Sequence, residues 1–254
     1  MEERKKDLIV VWDPTGKGGP ELDSLAERLS LPVHLGAELP SATTLAVQIE
    51  NNKVSLAAQG MRIQSEFTSG PFMTRLKTVG KSHPLIKAIG TLREPEYVFD
   101  GTGGLGIDTV SMAWKGYRLV SCEKNPIVFE LSQSAWREFV LKYPEKIATM
   151  KVDWILRDSK AYLLGLKKTD RPEVIYLDPM FPEKKKSALP KKEMQLLRRL
   201  LGDQKDRDED LFEVGLKTAK KRVVVKRSPD DDYIGAKPNH SVGSKLVRFD
   251  VYIC

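Results

Sequence analysis

The sequence predicts an α/β fold: a Rossmann-like, doubly wound, mostly parallel sheet with an antiparallel last strand, preceded by a small N-terminal α/β accessory domain. Three observations predict it. From residue 97 onward, short apolar strands alternate with helical stretches, the pattern of right-handed βαβ crossovers. The strands there are near-continuous apolar runs such as EVIY, which suits burial on both faces of a sheet. The final pair, RVVVKR (222–227) and LVRFDVYI (246–253), has no convincing helix between its members and is therefore expected to lie antiparallel.

The elements follow in order. LIVVWD (8–13) reads as a short buried strand, and Pro20–Leu31 has helical spacing through Leu22, Leu25, Ala26 and Leu29. TTLAVQIE and KVSLAAQ flank Asn51-Asn52, a pair that tolerates the left-handed backbone of a tight hairpin turn. These elements make up an accessory unit over 1–70, with the main domain over 71–254. A basic helical stretch from Arg75 to Leu92 is expected to bridge into it. Then come strand 97–100, a helix from Leu105 to Lys115 ended by Gly116, strand 117–122 and a helix from Pro126 to Val140. Strand 154–156, a helix from Ala161 to Leu166 and strand 173–178 complete the alternation. There is no internal repeat.

Composition excludes several classes. No run approaches the roughly 18 apolar residues that a membrane span needs, and the opening residues lack the apolar core of a secretory signal. Cys122 and Cys254 cannot make a disulfide framework, and no Cys/His cluster suits a metal. A cytoplasmic protein is expected. The 254 residues carry a net charge of +7, unevenly: −3 over 1–60, +4 over 61–95 and +6 thereafter. One basic cluster holds Lys184, Lys185, Lys186, Lys191 and Lys192; a second holds Lys217, Lys220, Lys221, Arg222, Lys226 and Arg227. Solvated surface explains any one lysine run, but three basic segments point to a phosphate-rich partner. Charge alone does not separate RNA, DNA and anionic lipid.

Asp100-Gly101-Thr102-Gly103-Gly104-Leu105-Gly106 links a strand to a helix and fits GxGxxG at Gly101, Gly103 and Gly106. A glycine turn is often only packing. Here Glu123 follows the next strand, 23 residues after Asp100, where an acid binds ribose hydroxyls. Dinucleotides and S-adenosylmethionine both carry that ribose. Asp100 would face a pyrophosphate unfavourably but suits the ammonium of a methionine moiety. Asp108 reads equally as a helix-dipole acid or a ligand. Asp158-Ser159 reads equally as a contact to an adenine amino group or as a helix N-cap.

Asp178-Pro179-Met180-Phe181-Pro182 follows the strand EVIY and is the most specific motif in the chain. It sets a carboxylate, a rigid backbone and an aromatic ring at the carboxyl end of a central strand, where open α/β sheets bind ligands. The exocyclic amine of a base is a poor nucleophile because its lone pair is delocalised. Acceptors such as the Asp178 carboxylate and the Pro179 carbonyl draw its hydrogens out of plane and localise that pair, while Phe181 stacks on the base. His34, His83 and His240 show no triad spacing and are expected on the surface or in loops. Gly80-Lys81-Ser82 is not a P-loop, because Arg75 stands where its first glycine belongs. The four tryptophans read as core or partial-core residues.

With DGTGGLGID, CEKNP, YLDPMFPEKKKSALPKKEM and KRVVVKR in view, the chain resembles the bacterial 16S ribosomal RNA guanine-N2 methyltransferases of the RsmJ type. The resemblance is close over 97–253 and looser before that. It implies a class I S-adenosylmethionine-dependent methyltransferase fold and methylation of a guanine amine in small-subunit ribosomal RNA, with no metal. Carried over by position, cofactor contacts fall on Ile107-Asp108, Glu123-Lys124, Asp158-Ser159 and Asp178. Ile107 stands where relatives often have Arg, so only its backbone contact is implied. Asp100, Gly101 and Gly103 complete the expected cofactor set, and Asp178, Pro179 and Phe181 the expected catalytic set. The lysines from Lys184 to Lys192 are expected to grip phosphates. The competing readings are another nucleic-acid amino-methyltransferase, a nicotinamide-dependent oxidoreductase on the same glycine loop, and a non-catalytic RNA-binding protein.

Overall fold

A computed structural model describes residues 8–39, 44–58, 60–80, 82–179, 192–202, 205–244 and 246–254, which form two sheets. The first holds β1 (Ile9–Asp13), β2 (Val33–Leu35), β3 (Leu45–Glu50), β4 (Lys53–Ala58) and β5 (Met61–Ile63), in the order β2-β1-β3-β4-β5. Helix α1 (Pro20–Leu29) crosses from β1 to β2, and it buries Leu22, Leu25, Ala26 and Leu29 as their spacing requires. The β3–β4 turn is the expected hairpin: Asn51 and Asn52 have φ of 51° and 61°, the left-handed pair of a type I′ turn. The three-residue strands β2 and β5 were not foreseen, since three residues carry too little pattern.

The expected single helix from Arg75 to Leu92 is instead two: α2 (Gly70–Thr78) and α3 (Pro84–Ile89). Pro84 is the cause. It pushes His83 to an extended backbone (ψ 133°), and the His83 ring then caps α3 by accepting from Leu85 N–H. His83 is thus a helix cap, while His34 lies in edge strand β2 and His240 in an edge strand of the second sheet.

The second sheet holds β6 (Val98–Asp100), β7 (Arg118–Glu123), β8 (Lys151–Leu156), β9 (Val174–Leu177), β10 (Arg222–Arg227), β11 (His240–Gly243) and β12 (Arg248–Ile253). Between them run α4 (Ile107–Trp114), α5 (Pro126–Lys142), α6 (Pro144–Ile147), α7 (Ser159–Leu164), α8 (Lys192–Leu201) and α9 (Lys205–Thr218). The order is β11-β12-β10-β9-β6-β7-β8. β8, β7, β6, β9 and β10 are mutually parallel, and β12 joins β10 antiparallel, as read from the sequence. Edge strand β11 is an addition, in a segment to which the sequence assigns no element. Strand β8 is twice its expected length. It alternates exposed and half-buried residues at the other edge, and its charged Lys151 and Asp153 disguise it.

The strand order reverses at β6, with β7 and β8 laid down on one side and β9 and β10 on the other, which opens a crevice at the carboxyl ends of these parallel strands. Asp100, Glu123, Asp178 and Lys226 all stand at or just beyond those ends. The small sheet is not separate from this crevice. One apolar core runs from α1 and β1, β3, β4 and β5 into Ile127, Val128 and Leu131 of α5 and Leu196 and Leu197 of α8. Arg28 of α1 adds a two-pronged ion pair to Glu130 of α5 (2.8 and 3.2 Å). Trp114, Trp136 and Trp154 pack against the Phe67–Phe139 cluster beneath α4, as expected of core tryptophans. No helix among the described residues is long and apolar enough to cross a membrane.

Candidate active site

The glycine loop between β6 and α4 is seated directly on its neighbours. Gly101 N–H donates to Tyr176 O (3.0 Å), and Gly103 N–H to Cys122 O (2.9 Å). A Cβ on Gly103 would lie 2.7 Å from Ser121 Oγ and 3.0 Å from the Cys122 carbonyl, so no other residue lets the loop lie this close to β7. Gly106 combines a φ of 80° with a would-be Cβ 2.8 Å from the Trp154 ring. These two glycines are required by packing.

Above the loop lies a cavity of about 340 Å³. Gly101, Thr102, Gly104 and Leu105 form its floor, Glu123-Lys124 and Asp158-Ser159 one side, and Asp178-Pro179 the far end. Val128, Leu197, Leu201 and Leu211 give it an apolar wall. Glu123 accepts from Gly104 N–H (3.0 Å) and Asn125 N–H (2.7 Å), and its burial raises its pKa above the ordinary carboxylate value. Asp158 is the N-cap of α7, accepting from Ala161 N–H (2.8 Å), and it also lines the cavity, so both of its readings are compatible. Ser159 Oγ donates to Gly101 O (2.7 Å), tying α7 to the glycine loop. Lys160 pairs with Asp210 (2.6 Å) and links α7 to α9 at the cavity rim.

The far end is built from charges. Asp178 N–H donates to Thr102 Oγ1 (2.6 Å), and its carboxylate Oδ2 accepts from Lys226 Nζ (2.8 Å). The same ammonium donates to Asp108 Oδ2 (2.7 Å), which also accepts from the Tyr176 hydroxyl (2.7 Å). Arg75 of α2 holds the other Asp108 oxygen. The Asp108 side chain is 8% exposed, and that of Asp178 is 40% exposed. Burial pushes the Asp108 carboxyl up, but Lys226 and Arg75 outweigh it and hold the group below its ordinary value. The surrounding protein partly desolvates Asp178 and raises it above its ordinary value, and Lys226 recovers part of that shift. Among the described residues, no cation pairs with Asp100. It accepts from Thr109 Oγ1 (2.5 Å) and Thr102 N–H (3.1 Å), and burial lifts its pKa to about 7.

Of the residues singled out from the sequence, Gly101, Glu123, Lys124, Asp158, Ser159, Asp178 and Pro179 converge on the cavity. Asp100, Gly103, Ile107 and Asp108 are not among its lining residues; Asp100 and Asp108 are buried, each within its own set of protein partners. Met180, Phe181, Lys184, Lys185, Lys186 and Lys191 lie outside the described residues, as does the side chain of Lys192. Within the basic segment 217–227, four cations already have partners in the protein. Lys220 pairs with Glu173 (3.1 Å), Lys221 with Glu96 (2.5 Å), and Lys226 with two carboxylates, while Arg222 donates to Ala88 O (3.3 Å). Sequence reasoning missed Arg75 and Tyr176 as partners of Asp108, and the wall supplied by α8 and α9. Sequence reasoning likewise missed Lys226 as the partner of Asp178, for only the sheet register, in which Val225 pairs with Leu177, sets the two side by side.

Seven strands in this order, with a cavity at the switch point between an acid-tipped β7 and an Asp-Pro-tipped β9, are the architecture of a class I methyltransferase. The family described as "Putative SAM-dependent methyltransferase" matches residues 25–254, and the chain belongs to that family of S-adenosylmethionine-dependent enzymes. Two relatives bear the name ribosomal RNA small subunit methyltransferase J. That of Alteromonas mediterranea is 35% identical over 97% of this chain and 96% of its own length. That of Thioalkalivibrio sulfidiphilus is 35% identical over 91% and 92%. A crystal structure of a SAM-dependent methyltransferase from Neisseria gonorrhoeae superposes with a TM-score of 0.72 at 26% identity, covering 96% of this chain and 95% of that one. The nicotinamide reading of the glycine loop falls with the family assignment.

Proposed function

We propose that this methyltransferase modifies the exocyclic N2 of a guanine in 16S ribosomal RNA, as free RNA or in the small subunit, in the cytoplasm. The relatives' shared name supports the RNA class. The observation that carries the chemistry is that Asp178-Pro179 opens into the same cavity as Glu123 and the glycine loop.

The residues fit S-adenosylmethionine. Glu123, already oriented by two backbone N–H groups, presents a carboxylate to a ribose diol; Val128, Leu197, Leu201 and Leu211 suit an adenine face; Asp158-Ser159 suit its amino edge. When bound, the cofactor supplies an electrophilic methyl group. The chain does the rest by position. Thr102 fixes the main chain at Asp178, whose carboxylate accepts a hydrogen from the guanine amine and takes up the proton that the amine loses. The Pro179 carbonyl is the second acceptor, and Phe181 stacks on a base that has left its helix. Lys184, Lys185, Lys186, Lys191 and Lys192 grip RNA phosphates, so replacing three of them is expected to flatten the salt dependence of binding by about 0.7 per lost contact.

The test is transfer of labelled methyl to small-subunit RNA from cells lacking this protein, followed by nucleoside analysis. N2-methylguanine in 16S RNA supports the reading; label in another base or another RNA overturns it.

A further inference from the structure

We propose that Lys226 is the positioning residue of methyl transfer: it tethers one oxygen of Asp178 to the buried Asp108 and so leaves the other oxygen for the amine to be methylated. The inference rests on the function proposed above and deepens it.

Sheet register delivers the lysine. Val225 of β10 pairs with Leu177 of β9, so the next residue on each strand, Lys226 and Asp178, are neighbours at the crevice. Its ammonium lies 2.7 Å from Asp108 Oδ2 and 2.8 Å from Asp178 Oδ2. Asp108 is a fixed post, because the Tyr176 hydroxyl and the Arg75 guanidinium hold it from two further elements. Asp178 is therefore restrained twice, through its N–H by Thr102 and through Oδ2 by Lys226. Among the described residues its Oδ1 makes no hydrogen bond. An acceptor held in this way pays little reorganisation when the amine arrives.

Charge points the same way. The groups facing Asp178 are Lys226 from β10, Arg75 from α2, and the acids Asp108 from α4 and Asp100 from β6, with the Tyr176 phenol from its own strand. Lys226 is the one cation among the described residues in direct contact with it. Removing that cation leaves Asp178 facing buried carboxyls, which favours the protonated form, a weaker acceptor that cannot take up the proton the amine loses. A lysine bridging two carboxylates at 28% exposure is poorly placed to grip an RNA phosphate.

The experiment compares the full-length wild type with Lys226→Met, Lys226→Arg, Lys226→Met/Asp108→Asn and Asp178→Ala. S-adenosylhomocysteine titration calorimetry confirms a folded cofactor pocket in each. The double variant removes the uncompensated Asp108 charge, should Lys226→Met alone fail to fold. We expect Lys226→Met and the double variant to lower kcat by about 10²-fold, with the RNA KM and its salt dependence unchanged. The acid limb of the Lys226→Met pH–kcat profile should move to higher pH, because the active form is the Asp178 carboxylate. Lys226→Arg should restore the position of that limb and part of kcat. A readout independent of turnover is the carboxyl stretch in infrared difference spectra against Asp178→Asn, whose conversion from the carboxylate to the protonated band should fall at higher pH in Lys226→Met than in the wild type. Wild-type kcat and an unmoved acid limb in both methionine variants overturn the proposal, as does a change confined to KM and salt slope, which would make Lys226 a phosphate ligand. An active Asp178→Ala instead overturns the proposed function itself, so the two failures are distinguishable.

Discussion

The two ends of the cavity hold their acids in different ways. At the end proposed for the cofactor, the partners are main-chain: Glu123 accepts from Gly104 and Asn125, and Asp158 from Ala161. At the end proposed for the base, they are side-chain cations from distant segments: Arg75 is 33 residues from Asp108, and Lys226 is 48 residues from Asp178. Backbone donors carry no net charge and lose no side-chain entropy, so they orient a carboxylate without making the site more cationic. That suffices for binding a neutral diol. An acceptor that must stay ionised beside buried acids needs a compensating charge. The difference is between holding a ligand and holding a protonation state.

The largest effect expected from breaking this contrast is at Asp178. Asp178→Ala should lower methyl transfer by about 10³-fold or more while S-adenosylhomocysteine affinity changes by no more than about threefold; radiometric assay and calorimetry measure the two quantities. At the other end, Glu123→Ala should weaken cofactor binding by about 10–100-fold, the equivalent of roughly 1.5–3 kcal/mol for hydrogen bonds to a charged group. Its kcat at saturating cofactor should stay close to wild type. A Glu123 variant impaired in kcat and not in affinity would show that the ends are not separate in role.

Asp100 sharpens the contrast further, because it is buried beside the charged end without a cation. Its carboxyl is raised from 3.8 to about 7, so the folded protein binds a proton there that the unfolded chain releases. Stability should therefore fall as pH rises from about 4 to about 7 and level off above, by about 1.4 kcal/mol per unit at the steepest. Asp100→Asn keeps an acceptor and removes the titration. Denaturant unfolding from pH 5 to 8 should show the wild type losing stability relative to this variant up to about pH 7. Parallel curves would place Asp100 in its ionised form throughout.

What the sequence made legible follows the same division. The strand-end acids Glu123 and Asp178, the glycine loop and the hairpin at Asn51-Asn52 are local patterns, in which chemistry and backbone conformation sit within a few residues. The doubly wound order was readable because alternation and burial on both faces are periodic signals. Arg75, Lys226 and the α8–α9 wall were not, for they matter only through tertiary contacts that no local period encodes. The basic run 217–227 shows the cost of reading charge locally. Glu96, Glu173, Asp108 and Asp178 lie 125, 47, 118 and 48 residues away from the lysines they neutralise. Asp108 differs: its place in the first turn of α4 is a local signal, while the three side chains that hold it come from α2, β9 and β10.

Asp158 gives the smallest and most discriminating test, since it is both helix cap and cavity wall. Loss of an N-cap costs about 1 kcal/mol, which in a chain of this size is about 2–4 °C in Tm. Asp158→Ala should show that loss, measured by thermal unfolding without cofactor. Serine caps a helix as well as aspartate does but presents a shorter, uncharged group to the cavity. Asp158→Ser should therefore recover the Tm. If the carboxylate also meets the cofactor, the serine variant should still bind S-adenosylhomocysteine several-fold more weakly than wild type; if capping is its whole contribution, affinity should return together with Tm. Backbone-held acids at this end of the cavity are expected to behave in the first way, because Glu123 and Asp158 line the pocket while main-chain N–H donors orient them.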